Sequence, residues 1–95
     1  MKMSKTIWVD DQIKWNVLRK RALCKFNQYK GHAYVVCTSP HEHLLFEIVE
    51  ARFLSHHYAE STVLALCNSR QQAFLQVTQL VDALYNQQTI TYSDL

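Results

Sequence analysis

Residues 62–86 constrain the fold most, because an apolar run is followed there by an amphipathic repeat. The run Thr62–Cys67 contains β-branched side chains and almost no polar ones, which predicts a buried strand. Ser69 stands three residues before Gln72, the spacing of a capping box, and predicts a helix over about residues 70–86. The apolar positions of this helix recur at helical intervals: Phe74, Leu75, Val77, Leu80, Val81, Leu84 and Tyr85. Its glutamine-rich face should lie partly in water: Gln71, Gln72, Gln76 and Gln79.

The middle of the chain supports two interpretations. Ser39, Pro40 and Glu42 form a helix-start signature, with an N-cap, a proline at the first helical position and a box glutamate. This signature favours a helix over about residues 40–54 that buries Leu44, Leu45, Ile48, Val49 and Phe53. The alternative is a strand over residues 46–53.

The first third also leaves two alternatives. Asp10 or Asp11 can cap a helix that runs to Gly31 and aligns Trp15, Leu18, Ala22, Phe26 and Tyr29 on one stripe. The other interpretation is a hairpin of residues 23–29 and 32–38 around Lys30 and Gly31, in which Cys24 faces Cys37. Residues 32–38 are extended in both, residues 6–9 form a further strand, and residues 89–92 form an edge strand or a loose tail.

These elements predict a small α+β domain over residues 1–95. We expect a sheet of three or four strands packed against two or three helices, one of them C-terminal; the alternative is an α/β fold with alternating helices and strands. Residues 1–5 and 93–95 should be frayed termini. No apolar run approaches the roughly 20 residues that span a bilayer, so we expect no membrane partner.

The charge is unevenly distributed along the chain. Residues 1–30 carry eight basic and two acidic residues, a net +6, whereas the remainder carries two basic and six acidic residues, a net −4. Lys14, Arg21 and Lys25 would fall on one side of the predicted first helix. They form our predicted binding site for a polyanion or a partner, with Trp15 and Tyr29 nearby as stacking platforms or as core.

Several chemistries are disfavoured by residue type and spacing. Gly31 is the only glycine, which excludes phosphate-cradling glycine-rich loops and dinucleotide binding. Cys37, His41 and His43 lie close in sequence, and His56–His57 add two further candidate ligands. Paired Cys-x-x-Cys spacing is absent, however, so we expect surface histidines and no metal site or cofactor.

Catalysis is also not expected. Cys37 with His41 and Glu42 is the only local arrangement that suggests a cysteine nucleophile, and the other two cysteines lie in apolar patterns typical of buried thiols. Glu47 and Glu50 are three residues apart, which is more typical of a solvated helix face than of a catalytic pair. We therefore predict no catalytic residues.

The sequence favours a small non-catalytic interaction protein that regulates or inhibits another protein through surface contacts. Eleven aromatic residues in 95 are enough to leave an exposed anchor patch. The alternative is a nucleic-acid-binding regulator that uses the basic N-terminal third. An odd count of three cysteines predicts a reducing, cytoplasmic location, and the opposed charges of the two parts of the chain favour a homodimer.

Overall fold

A computed structural model describes residues 1–41 and 43–95 as one mixed sheet with a helix on each face. The elements are β1 (Lys2–Val9), α1 (Val17–Phe26), β2 (Tyr34–Thr38), β3 (Phe46–Glu50), β4 (Thr62–Cys67) and α2 (Arg70–Val81). The strand order is β1-β4-β2-β3, with β4 parallel to β1 and antiparallel to β2, and β2 antiparallel to β3. The α+β prediction is confirmed. The alternating α/β alternative is wrong, because β2, β3 and β4 follow one another without an α-helix between them.

The two central strands are buried because both faces of the sheet are covered. On the first face Val35 and Cys37 pack with Leu23 of α1 and with residues of the loops beside it. On the second face Val36 packs with Ala73 of α2. The radius of gyration, 12.5 Å, matches the roughly 12.4 Å expected of a compact domain of this length.

The strand and the helix predicted over residues 62–86 are both confirmed. The Ser69 Oγ accepts a hydrogen bond from the Gln72 backbone N–H at 3.2 Å, and a single π-helical turn continues α2 to Asn86. Three of the four glutamines are exposed and Gln76 is half-buried. The apolar stripe is wider than the buried face, however, because Ala73, Val77 and Leu80 pack on the sheet whereas Phe74 and Leu75 do not.

The first helix begins later and ends earlier than the predicted helix from Asp10 or Asp11 to Gly31. It begins after Asn16, whose side chain caps it by accepting a hydrogen bond from the Arg19 backbone N–H. Asp10 does not cap the helix; its carboxylate accepts hydrogen bonds from the backbone N–H groups of Gln12 and Asn68. It ends at Asn27, which adopts the left-handed conformation that asparagine tolerates better than most residues. The hairpin alternative is also wrong, since residues 23–26 are helical.

Residues 32–38 and 6–9 behave largely as expected. Strand β2 covers residues 34–38 and β1 extends from residue 2 to residue 9. Cys24 does not face Cys37: it is exposed on α1, whereas Cys37 is buried in β2.

The helix predicted over residues 40–54 is wrong, and the strand alternative holds for residues 46–50. The backbone N–H of His41 does bind the Ser39 Oγ at 3.0 Å, but this local turn does not continue into a helix. Pairing with β2 is the stronger constraint, because Val49 packs on the first face of the sheet and Phe46 and Ile48 on the second. A short 3₁₀ turn, Ala51–Phe53, follows the strand. The predicted box glutamate, Glu42, lies outside the described residues.

Both ends of the chain contact the body of the domain. Met1 is 5% exposed, and its ammonium group donates to the Leu23 carbonyl at 3.2 Å and to the Asn27 Oδ1 at 2.7 Å. Near the other end, the Tyr92 hydroxyl donates to the Leu45 carbonyl, and residues 89–92 form no strand. In the part of the chain that the structure describes, no helix has the length and apolar character to cross a membrane.

Candidate functional site

The three cations singled out in the sequence do not lie along one helix. Arg21 and Lys25 are exposed on α1, one helical turn apart. Lys14 precedes the helix and lies in the loop between β1 and α1. The structure therefore separates the predicted site into a pair on α1 and a third cation in a loop.

Lys14 instead lines a cavity of about 280 Å³ at one end of the sheet, which we call the basic cavity. Its polar lining is drawn from four separate segments: Gln12, Lys14, Arg19, Lys30, His32 and Asn68. Sequence reasoning missed Arg19 and Lys30 as site residues, because the cavity is formed by loops that meet only after the sheet has folded. The sequence signal that points to it is the single glycine, Gly31, which stands between Lys30 and His32.

The lining of the basic cavity is held together through one buried tyrosine. The Tyr29 hydroxyl donates to the Lys14 carbonyl at 2.7 Å. The Arg19 guanidinium lies 5.2 Å from the centre of the Tyr29 ring and donates to the Lys30 carbonyl. Gly31 has φ of +130°, and a Cβ atom there would come within 3.3 Å of the Tyr29 ring. Glycine permits this close approach without strain.

A second distinctive surface is the outward side of α2. Its large side chains are well exposed: Phe74 is 57%, Leu75 50%, Val81 37% and Tyr85 58% exposed. With Thr78 these residues form the α2 outer face, spaced at helical intervals along one side. No residue from 71 to 81 is charged, so α2 carries no charge between Arg70 and Asp82; Tyr85 lies beyond Asp82, in the π-helical turn that follows α2.

The exposed apolar residues of α1 differ in their surroundings. Val17, Leu18 and Phe26 are also exposed, but the same helix exposes Lys20 and Arg21. Charged residues are depleted at the centres of protein–protein interfaces. The α2 outer face therefore has the more interface-like composition of the two helices.

Among the described residues, none activates the Cys37 thiol. Burial, and then the nearby Glu47 carboxylate, raise the pKa of the Cys37 thiol from 9.0 to about 12, which keeps it protonated at neutral pH. The suggested third member of this arrangement, Glu42, lies outside the described residues. Burial likewise raises the pKa of Cys67 to about 11.

The histidines cluster only loosely. His41 Nε2 lies 3.7 Å from the Glu47 Oε1, and the His41 and His57 rings are 5.2 Å apart. Among residues 1–41 and 43–95, no three His, Cys, Asp or Glu side chains form a group that could hold a metal ion.

The two carboxylates three residues apart lie on a strand and not on the predicted helix face. An odd separation on a strand directs Glu47 and Glu50 to opposite faces of the sheet. Glu47 pairs across the strands with Cys37. The Arg52 side chain donates to Glu50 at 2.9 Å and lowers the pKa of that carboxyl. The two carboxylates therefore do not form one acid–base pair.

Comparison with known protein families, curated proteins and solved structures gives no significant match to this chain.

Proposed function

We propose that this chain is a small non-catalytic interaction protein that binds another protein through the α2 outer face. The observation that carries the proposal is the conjunction of exposure and composition on α2. Three large apolar or aromatic side chains, Phe74, Leu75 and Val81, are exposed on a helix that has no charged residue between positions 71 and 81, and Tyr85 is exposed in the π-helical turn that follows it. Leaving such a patch in water is unfavourable, and covering it with an apolar partner surface is favourable.

The arrangement of side chains specifies the chemistry of the partner. Phe74, Thr78, Val81 and Tyr85 are spaced as the anchors of a helix that inserts into a hydrophobic groove. The partner should therefore present an apolar groove whose floor is uncharged, since a buried charge there would have no counter-charge on α2. A chain bound in this way excludes other ligands from the groove, which is the basis of the regulatory or inhibitory role.

The test compares matched substitutions on the two helices. Phe74→Glu and Leu18→Glu each place a carboxylate at an exposed apolar position, so both variants should fold, as checked by circular dichroism. A protein captured from a lysate by the wild type should also be captured by the Leu18→Glu variant and lost with Phe74→Glu. With the purified partner, calorimetry should give a negative heat-capacity change, and affinity should change little with salt.

Three outcomes would overturn the proposal. Equal capture by the Phe74→Glu variant would remove α2 from the interface. A steep loss of affinity with added salt would indicate a charged surface instead. If sedimentation equilibrium shows a dimer that Phe74→Glu dissociates, the occupant of the α2 outer face is a second copy of the chain.

Nucleic-acid binding is the alternative function, supported by the exposed Arg21 and Lys25 on α1. Replacing Lys14, Arg21 and Lys25 by alanine should then weaken oligonucleotide binding and lower the slope of log affinity against log salt by about 2–3. Fluorescence anisotropy measures both quantities. Affinity weaker than about 10⁻⁴ M near physiological salt would rule this function out.

A further inference from the structure

We propose that the basic cavity binds the phosphoryl group of a small molecule, of about the size of pyrophosphate or a sugar phosphate. This site is separate from the α2 outer face and does not depend on the function proposed for it. Three observations support this proposal: the position of the cavity at one end of the sheet, the positive charge of the residues that line it, and the contacts that hold part of that lining in place.

The basic cavity lies where open sheets commonly bind ligands. Strands β1 and β4 are parallel, and Gln12 and Asn68 lie in the loops that follow their carboxyl ends. His32 precedes the antiparallel strand β2 and so belongs to the same end of the sheet. In open α/β sheets, ligands bind in the crevice outside the carboxyl ends of the strands, and the parallel pair β1–β4 presents the same kind of edge in this α+β sheet.

The charge of the cavity selects an anion. Lys14, Arg19 and Lys30 line it together, and no carboxylate of a described side chain forms an ion pair with any of them. The nearby Asp10 carboxylate accepts from the backbone N–H groups of Gln12 and Asn68. A multiply charged anion bound in the cavity would be attracted by all three of these cations.

The geometry favours a phosphoryl group over a diffuse polyanion. Arg19 is held by stacking on Tyr29 and by its bond to the Lys30 carbonyl, and the remaining N–H groups of its planar fork are suited to phosphate oxygens. The Asn68 Nδ2 donates to the Gln12 Oε1 at 2.6 Å, which fixes two uncharged polar groups beside the cations. A lining arranged before the ligand arrives loses less entropy on binding.

The size of the basic cavity limits the ligand. About 280 Å³ is just below the usual range for small-molecule sites, so a phosphoryl group and a small attached group fill it. The lining is mainly polar, which disfavours an extended apolar ligand.

Calorimetric titration with inorganic pyrophosphate, at constant ionic strength, tests the proposal. Arg19→Gln and Arg21→Gln remove the same charge from the same helix, but only Arg19 lines the cavity. We expect Arg19→Gln to weaken binding about tenfold or more and Arg21→Gln to weaken it less than about twofold. Because Arg19 also contacts Tyr29, Lys14→Gln provides a second variant, with Lys20→Gln as its control.

A dissociation constant for pyrophosphate weaker than about 10 mM, or equal losses in Arg19→Gln and Arg21→Gln, would refute a specific site. Titrations with a sugar phosphate and with a single-stranded oligonucleotide distinguish the sources of the phosphoryl group. Binding of the oligonucleotide alone, weakened equally by all four variants, would assign the cations to a nucleic-acid surface. Failure of the partner test on Phe74 would leave this result unaffected.

Discussion

Leu23→Ala, compared with Leu18→Ala, tests how α1 is attached to the sheet. Both substitutions remove the same atoms from the same helix, so changes in helix propensity cancel. Leu23 is 0% exposed and packs in the apolar cluster of the first face, whereas Leu18 is 74% exposed. Buried Leu→Ala substitutions cost about 2.7–5 kcal/mol, and the cost is larger where neighbours cannot collapse into the cavity.

The structure favours a value in the middle of that range. Leu23 is the only fully buried residue of α1, and the apolar cluster around it combines strand residues with loop residues, of which the latter can collapse more readily into a cavity. We therefore expect a loss of about 3–4 kcal/mol for Leu23→Ala and less than about 0.5 kcal/mol for Leu18→Ala. A domain of 95 residues has a stability of about 5–14 kcal/mol, so the first loss is a large fraction of the total.

Urea denaturation followed by circular dichroism and by tryptophan fluorescence measures both losses. The dependence of the free energy of unfolding on urea concentration should be the same in both variants, since the folded surface is unchanged. A difference below about 1 kcal/mol between the two variants would refute the packing of α1 through Leu23.

Three further predictions concern the thiols and the cap of α2. At pH 8, iodoacetamide should modify one thiol per native chain, that of the exposed Cys24, and mass spectrometry that finds a second adduct would contradict the burial of the other two. Because burial raises the pKa of Cys37 to about 12 and that of Cys67 to about 11, the folded chain retains protons that the unfolded chain loses above pH 9. The free energy of unfolding should therefore fall as pH rises above about 9, by up to about 1.4 kcal/mol per pH unit for each thiol, and less steeply in Cys37→Ala. Ser69→Ala should lower the free energy of unfolding by about 1 kcal/mol, because the Gln72 N–H loses its acceptor, and an unchanged urea midpoint would contradict that cap.

Sequence patterns predicted the elements whose signals are local. The apolar run over residues 62–67 predicted β4, and the capping box at Ser69 predicted the start of α2. Both predictions succeed because each signal depends only on residues within the element itself. The sequence pattern places the end of the first helix at Gly31, whereas α1 ends at Phe26. The left-handed residue that ends the helix is Asn27, and Gly31 serves the loop beyond it.

The remaining errors come from long-range pairing. Residues 46–50 follow a helix-start signature, yet they are extended because β2 pairs with them and both faces of the sheet are covered. A strand packed on both faces loses the alternation that identifies half-buried strands. The predicted cationic site was wrong in part for the same reason: Tyr29 links Lys14 to Arg19, and Arg19 bonds directly to the Lys30 carbonyl, contacts that form only in the folded chain.

The strand order also determines when the sheet can assemble. In the described sheet β1 pairs with β4 alone, and Lys2 pairs with Thr62, so β1 cannot pair until residues about sixty positions later have been made. Closing so long a loop is entropically costly, and topologies with distant contacts fold slowly. During synthesis the β2–β3 hairpin can form first, while β1 remains unpaired until β4 has been made. Lys2 and Lys5 give the unpaired β1 a positive charge, which disfavours its pairing with the strands of other nascent chains.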